Sequence, residues 1–149
     1  ITTPGHTLDH ISYYSPGRLF CGDTLFAGGC GRVFEGSMEM MHRSLERLRA
    51  LPMDTQVYCA HEYTLSNLRF ATQVEPDNTA LQQRFRETAQ LRARNTPSVP
   101  SILQLECDTN PFLRCHEPNV IQCAEQHAGE PLTQPHHVFA TLRNWKDHA

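Results

Sequence analysis

Three short stretches put a possible metal donor where a strand would end or where a glycine frees the backbone. They are His6 in TPGHTLDH, Asp23 in FCGDTLF and His61 in CAHEY. Two imidazoles and a carboxylate suit zinc or a similar divalent ion. A carboxylate can also bridge two ions, because each of its oxygens can face one of them. Gly5 and Gly22, beside the first two donors, let the backbone approach closely without a Cβ in the way. Singly, each donor is weak evidence. A lone histidine after a strand is more often a hydrogen-bonded structural residue, and Gly-Asp is commonly a turn. The three in this order are harder to explain as packing.

The elements that must position these donors can be read from pattern. Residues 10–14 (HISYY) and 18–22 (RLFCG) read as two strands around a Ser15-Pro16-Gly17 turn, and 57–60 (VYCA) as a third. Residues 23–36 are glycine-rich and irregular. From Ser37, a plausible N-cap, a helix is predicted with Met38, Met41, Leu45 and Leu48 on one core stripe, stopped at Leu51-Pro52. His61 therefore follows a strand directly, and strand ends are where functional side chains collect in layered α/β folds. After residue 64 nothing reads strongly as strand. Thr64 can cap one helix and Asn78 another. Residues 96–101 break the run and restart a short helix, Asn110-Pro111 breaks it again, and 119–127 and 136–146 look helical. The reading is an α/β half over residues 1–64 and a helical region over 65–149.

Composition narrows the function classes. The 149 residues carry 13 basic and 16 acidic side chains, a net charge of −3, which argues against a general nucleic-acid binder. No apolar run is long enough to span a bilayer, so no membrane role is expected. The six cysteines form no CxxC pair and read as thiols packed in a reducing compartment, which points to the cytoplasm. His136-His137 reads as surface, His42 as the polar side of its helix, and Cys30 and Cys59 as packing. His10 reads as a hydrogen-bond partner near the metal rather than a ligand.

TPGHTxxH, FCGDTLFxGGCGRxFEG and CAHEYTxxNLxFAxxVEPxN together resemble the glyoxalase II family, the hydroxyacylglutathione hydrolases of the metallo-β-lactamase superfamily. The likeness extends through PSxP, NPFLR and LRxWKD to the end of the chain. It implies the second half of an αββα sandwich followed by an all-helical substrate-binding domain. It implies two divalent metal ions, zinc foremost with iron or manganese also accepted, His6 and His61 as terminal ligands and Asp23 as the bridge. A bridging hydroxide would attack the thioester of S-(2-hydroxyacyl)glutathione, chiefly S-D-lactoylglutathione, giving D-lactate and glutathione in methylglyoxal detoxification. Arg32, Phe34, Tyr63, Arg143 and Lys146 would contact the glutathione moiety, and the protein is expected to be a monomer. Arginine offers a planar, always-charged fork for the two glutathione carboxylates. Arg143 and Lys146, three apart, would share a helix face. Without the resemblance that pair would read as an ordinary solvated basic face.

Three departures from the family pattern stand out. Phe34 occupies a position where tyrosine is frequent, removing a hydroxyl. Asp9 stands where glycine is usual, and would either bond a ligand histidine or strain a turn. The THxHxDH loop that supplies the other metal ligands is not in these residues. The chain is therefore expected to be a C-terminal fragment, inactive alone and weak in metal binding, with an uncovered apolar sheet face. Two rival readings are a one-iron persulfide dioxygenase of the same superfamily and a metal-free domain that holds glutathione. FEG after GCGR and the helical tail favour the hydrolase over the first.

Overall fold

In the computed structural model, which describes residues 1–149, a four-stranded sheet carries helices on one face. Strands β1 (Tyr13–Ser15) and β2 (Arg18–Gly22) form an antiparallel hairpin, and β5 (Gln56–Cys59) lies parallel to β2. Between them run a small hairpin, β3 (Leu25–Phe26) with β4 (Gly29–Cys30), and helix α1 (Met38–Arg49). A parallel pair needs such a crossover, and α1 supplies it. Its start is set by Ser37, whose side chain accepts from the Met40 amide. Met41, Leu45 and Leu48 are fully buried, while Met38 packs half-buried at the end of the stripe.

Helices α2 (Thr64–Val74), α3 (Thr79–Ala93), α4 (Leu103–Thr109), α5 (Pro118–Ala128) and α6 (Pro135–His148) follow, with a 3₁₀ turn at Pro111–Leu113. The helical reading of this half holds, with one addition. Ser101–Ile102 forms β6, antiparallel to β5. Two residues next to Pro100 give no strand pattern, so only the exposed edge of β5 reveals the pairing.

Two local expectations are corrected. The first strand begins at Tyr13 rather than His10, because residues 10–12 bond back to residues 1–3 (Thr3 N–H to the His10 carbonyl, Ser12 N–H to the Ile1 carbonyl). Thr64 is the first helical residue and not the cap. Its hydroxyl is instead paired with that of Ser98 at 2.7 Å, and Tyr63 takes the N-cap place without a side-chain bond. Asn78 does cap α3, accepting from the Leu81 amide.

The two faces of the sheet differ sharply. Leu19, Cys21 and Val57 point into a core of 19 buried residues that continues through Met41 and Leu45 of α1 to Phe112, Phe139 and Leu142. On the opposite face Tyr13, Phe20 and Tyr58 stand in register across three strands, and the Phe20 and Tyr58 rings stack at 5.0 Å. Phe20 is 46% and Tyr13 67% exposed, so this face presents open aromatic rings, but Ser15, Arg18 and Gln56 share it and it is less apolar than expected. No helix is long and apolar enough to cross a membrane.

Candidate metal and substrate site

The three donors reach one cleft from three loops. Asp23 follows the last residue of β2, Gly22, whose φ of +52° favours glycine and whose Cβ would press on the His10 ring. His61 follows β5, where the Ala60 amide donates to the Gly22 carbonyl and so ties the two strand ends together. His6 lies on the N-terminal loop, clamped by residues 31–36. The Phe34 and Glu35 amides bond the His6 carbonyl, the Leu8 amide bonds the Glu35 carboxylate, and Phe34 lies 5.0 Å from the imidazole. A Cβ at Gly31 would collide with the Asp23 carbonyl, so the loop closes this tightly only with glycine there.

The His6 Nδ1 lies 2.8 Å from the Arg32 carbonyl, an acceptor only. Nδ1 is therefore the donor, and Nε2 is the nitrogen left to face a metal, the usual orientation of a ligating histidine. His61 Nε2 lies 3.3 Å from Asp23 Oδ1, and its ring stacks on Tyr63 at 4.8 Å. In donor type the set fits a divalent ion. In number it falls short: no three His, Cys, Asp or Glu side chains converge closely enough to enclose one.

His10 sits behind the donors. Its Nε2 accepts from the Asp23 amide at 3.2 Å, and its Nδ1 faces the Thr24 hydroxyl at 3.1 Å. Burial, then the neighbouring His6, lowers its pKa, which favours the neutral ring that can accept from Asp23. Asp9 accepts from the Thr7 hydroxyl and has no positive φ, so it neither bonds His6 nor strains its turn.

The five expected substrate residues line the same cleft, a space of about 530 Å³ that also takes in Phe26, Ser66 and Asn67. Arg32 is exposed, with Nε 3.6 Å from Asp147. Phe34 and Tyr63 present open aromatic faces. Lys146, the only lysine in the chain, is half-buried, and burial followed by the nearby Arg143 lowers its pKa. Arg143 is set deeper than its half-buried helix neighbour. It is buried, donates to the Cys30 carbonyl (2.8 Å) and Asp147 (2.9 Å), and lies over the Phe112 ring at 5.3 Å. Its Nε has no partner.

With that geometry in place, the comparisons decide the family. Residues 62–149 match the family model "Hydroxyacylglutathione hydrolase C-terminus", and residues 1–61 match the metallo-beta-lactamase superfamily. The chain belongs to the hydroxyacylglutathione hydrolase family. A hydroxyacylglutathione hydrolase of Pseudomonas aeruginosa (strain LESB58) is 59% identical over 147 residues, 97% of this chain and 57% of the relative. One from Aeromonas salmonicida (strain A449) is 58% identical over 147 residues, 99% of this chain and 58% of the relative. The chain thus spans a little over half the length of these relatives. A metallo-beta-lactamase from Staphylococcus aureus subsp. aureus COL superposes with a TM-score of 0.50 at 23% identity, covering 97% of this chain and 37% of the other. That likeness bears on fold alone.

Some residues that shape the cleft carried no warning in the sequence. Asn67, Glu106 and Asn110 are buried polar residues behind the glycine-rich loop. Their nearest signals are the Asn110-Pro111 breaker and the NL pair of the CAHEYTxxNLxFA stretch, neither of which marks a residue that supports the loop. His42 packs on Phe139 at 5.8 Å rather than lying wholly on the polar side, and burial lowers its pKa. Cys30 and Cys59 make packing and backbone contacts as expected, and all six cysteines are free thiols.

Proposed function

We propose that this chain supplies the glutathione-facing side and three metal donors of a thioesterase that converts S-(2-hydroxyacyl)glutathione, chiefly S-D-lactoylglutathione, to a 2-hydroxy acid and glutathione. One observation carries the reading: all eight residues singled out for metal or substrate line one cleft. In it residues 1–64 contribute the donors, and the helical region 65–149 contributes Lys146 and the support for the loop. His6, Asp23 and His61 would hold divalent metal, zinc foremost with iron and manganese also compatible with such donors. When bound, the metal supplies Lewis-acid polarisation of the carbonyl and a water acidic enough to attack at neutral pH.

The chain's own residues do the rest. Arg32 and Lys146 offer cations to the substrate carboxylates at the mouth of the cleft. Phe34 beside His6, and Phe26 packed against Tyr63, offer open aromatic surface for the apolar parts of the substrate. Arg143, engaged with Cys30 and Asp147, holds the floor rather than reaching for substrate. Asp147 joins Arg143 to Arg32 and limits where the Arg32 guanidinium points. Six free thiols suit a reducing compartment, and a cytoplasmic monomer is the setting we assign.

Three donors do not complete the shells of two ions, so these 149 residues alone should bind metal weakly and turn over little. Metal analysis together with S-D-lactoylglutathione hydrolysis tests this. Sub-stoichiometric metal with negligible turnover is expected, and two tightly bound ions with turnover would contradict it.

A further inference from the structure

The loop between Asp23 and Arg32 is held by side chains of the helical half. Asn110 Nδ2 lies 3.3 Å from the Phe26 carbonyl and 2.9 Å from that of Gly29, and Asn67 Nδ2 donates to the Ala27 carbonyl at 3.2 Å. The Gly28 amide donates to Glu106 Oε2 at 2.8 Å, and Arg143 donates to the Cys30 carbonyl at 2.8 Å. Each residue from 26 to 30 thus has a backbone polar group bonded to a buried side chain from α2, α4, α6 or the Asn110 cap.

Glu106 is the hub. It is completely buried, and its Oε1 accepts from Arg84 at 2.5 Å and from the Ser101 hydroxyl. Its Oε2 serves Gly28 and Asn110, the latter at 3.1 Å. A buried ion pair is weak evidence for stability, since well-packed apolar residues commonly do as well. What apolar residues could not do is hold a loop amide at a fixed point. That loop leads from Asp23 at one end to the Arg32 carbonyl, which orients His6, at the other.

We infer that Glu106 is a positioning residue for the metal donors, acting through the Gly28 amide to set the loop that places Asp23 and orients His6. The inference rests on reading His6 and Asp23 as metal donors. Groups that orient metal ligands from behind typically change metal affinity by about 10–100-fold when lost.

The test compares the chain with its Glu106→Ala variant and with the double variant Glu106→Gln, Arg84→Met, which removes both charges but keeps an oxygen for Gly28. Two readouts are used: zinc affinity by competition with a chelating dye, and the NMR signal and exchange rate of the His6 Nδ1–H that bonds the Arg32 carbonyl. Glu106→Ala should weaken zinc binding about 10-fold or more and expose the His6 proton to exchange, while the α6 amides of Phe139 and Leu142 stay protected. The double variant should recover most of both. Unchanged zinc affinity and an unchanged His6 proton in Glu106→Ala would overturn the inference, as would equal losses in the two variants.

If Glu106→Ala does not fold, Asn67→Ala decides. It removes only the bond to Ala27 and should move the same two readouts in the same direction. No movement overturns the inference. If the wild-type chain takes up no zinc, the donor reading fails, and the His6 proton still decides whether Glu106 sets the loop.

Discussion

Arg84→Met is the perturbation that most sharply exposes the buried charge pair behind the glycine-rich loop. Arg84 is 6% exposed at its side chain and donates to Glu106, Ser101 and the Thr109 hydroxyl, while Glu106 is not exposed at all. Burial alone would raise the Glu106 carboxyl, but the adjacent Arg84 guanidinium and the hydrogen bonds from Ser101 and Gly28 together hold the pKa below the usual carboxylate value. Removing one partner of such a buried pair costs about 3–5 kcal/mol, a large share of the roughly 5–15 kcal/mol that stabilises a domain. With a urea slope of about 2 kcal/mol/M, the midpoint should fall by about 2 M at pH 7.

The sign of the pH dependence is diagnostic. In the wild type, with the folded pKa depressed, Glu106 contributes stability above its unfolded pKa and loses it as pH falls through the folded value. In Arg84→Met the same carboxyl is buried without a counter-charge, so its folded pKa rises above the unfolded one. The folded state then binds more protons than the unfolded state between those two values. The variant regains stability as pH falls, by up to about 1.4 kcal/mol per unit. Urea unfolding of both proteins at pH 7, 6 and 5 measures the difference, in which the other titrating groups largely cancel. A loss below about 1 kcal/mol, or a difference independent of pH, would refute the reasoning.

Other outcomes follow from the cleft and the sheet. Gly31→Ala drives a Cβ into the Asp23 carbonyl and should weaken zinc binding about 10-fold by moving the loop, read by the same dye competition. Lys146 should titrate below the ordinary lysine range when its single side-chain amine is followed by NMR. Added glutathione should raise that pKa, because an anion favours the charged form. Phe20→Thr, on the exposed sheet face, should change stability by less than about 1 kcal/mol and reduce binding of a hydrophobic dye, whereas Val57→Thr on the buried face should cost more.

The parts of the fold written in local pattern were legible in the sequence. The α1 stripe and the Ser37 and Asn78 caps depend on neighbours within a few residues. The two-residue β6 and the true start of β1 depend on distant partners, and their own residues carry no alternation. The same division runs through the site. His6, Asp23 and His61 stand out because metal-binding residue types follow strands and glycines. Arg84 and Glu106 do not, because a charged residue on a helix looks solvated until a partner 22 positions away is brought against it. Arg143 shows the limit of helical spacing: three residues from Lys146, it turns inward to Cys30 while Lys146 faces the cleft.

If this cleft receives the glutathione portion of a thioester, titrating glutathione into the ¹⁵N-labelled chain will show it. Shifts should concentrate at Arg32, Tyr63, Ser66 and Lys146, with affinity falling at least several-fold in Arg32→Ala and Lys146→Ala. Shifts centred instead on the separate cleft beside Arg49 and His116, or affinity untouched by both substitutions, would contradict it.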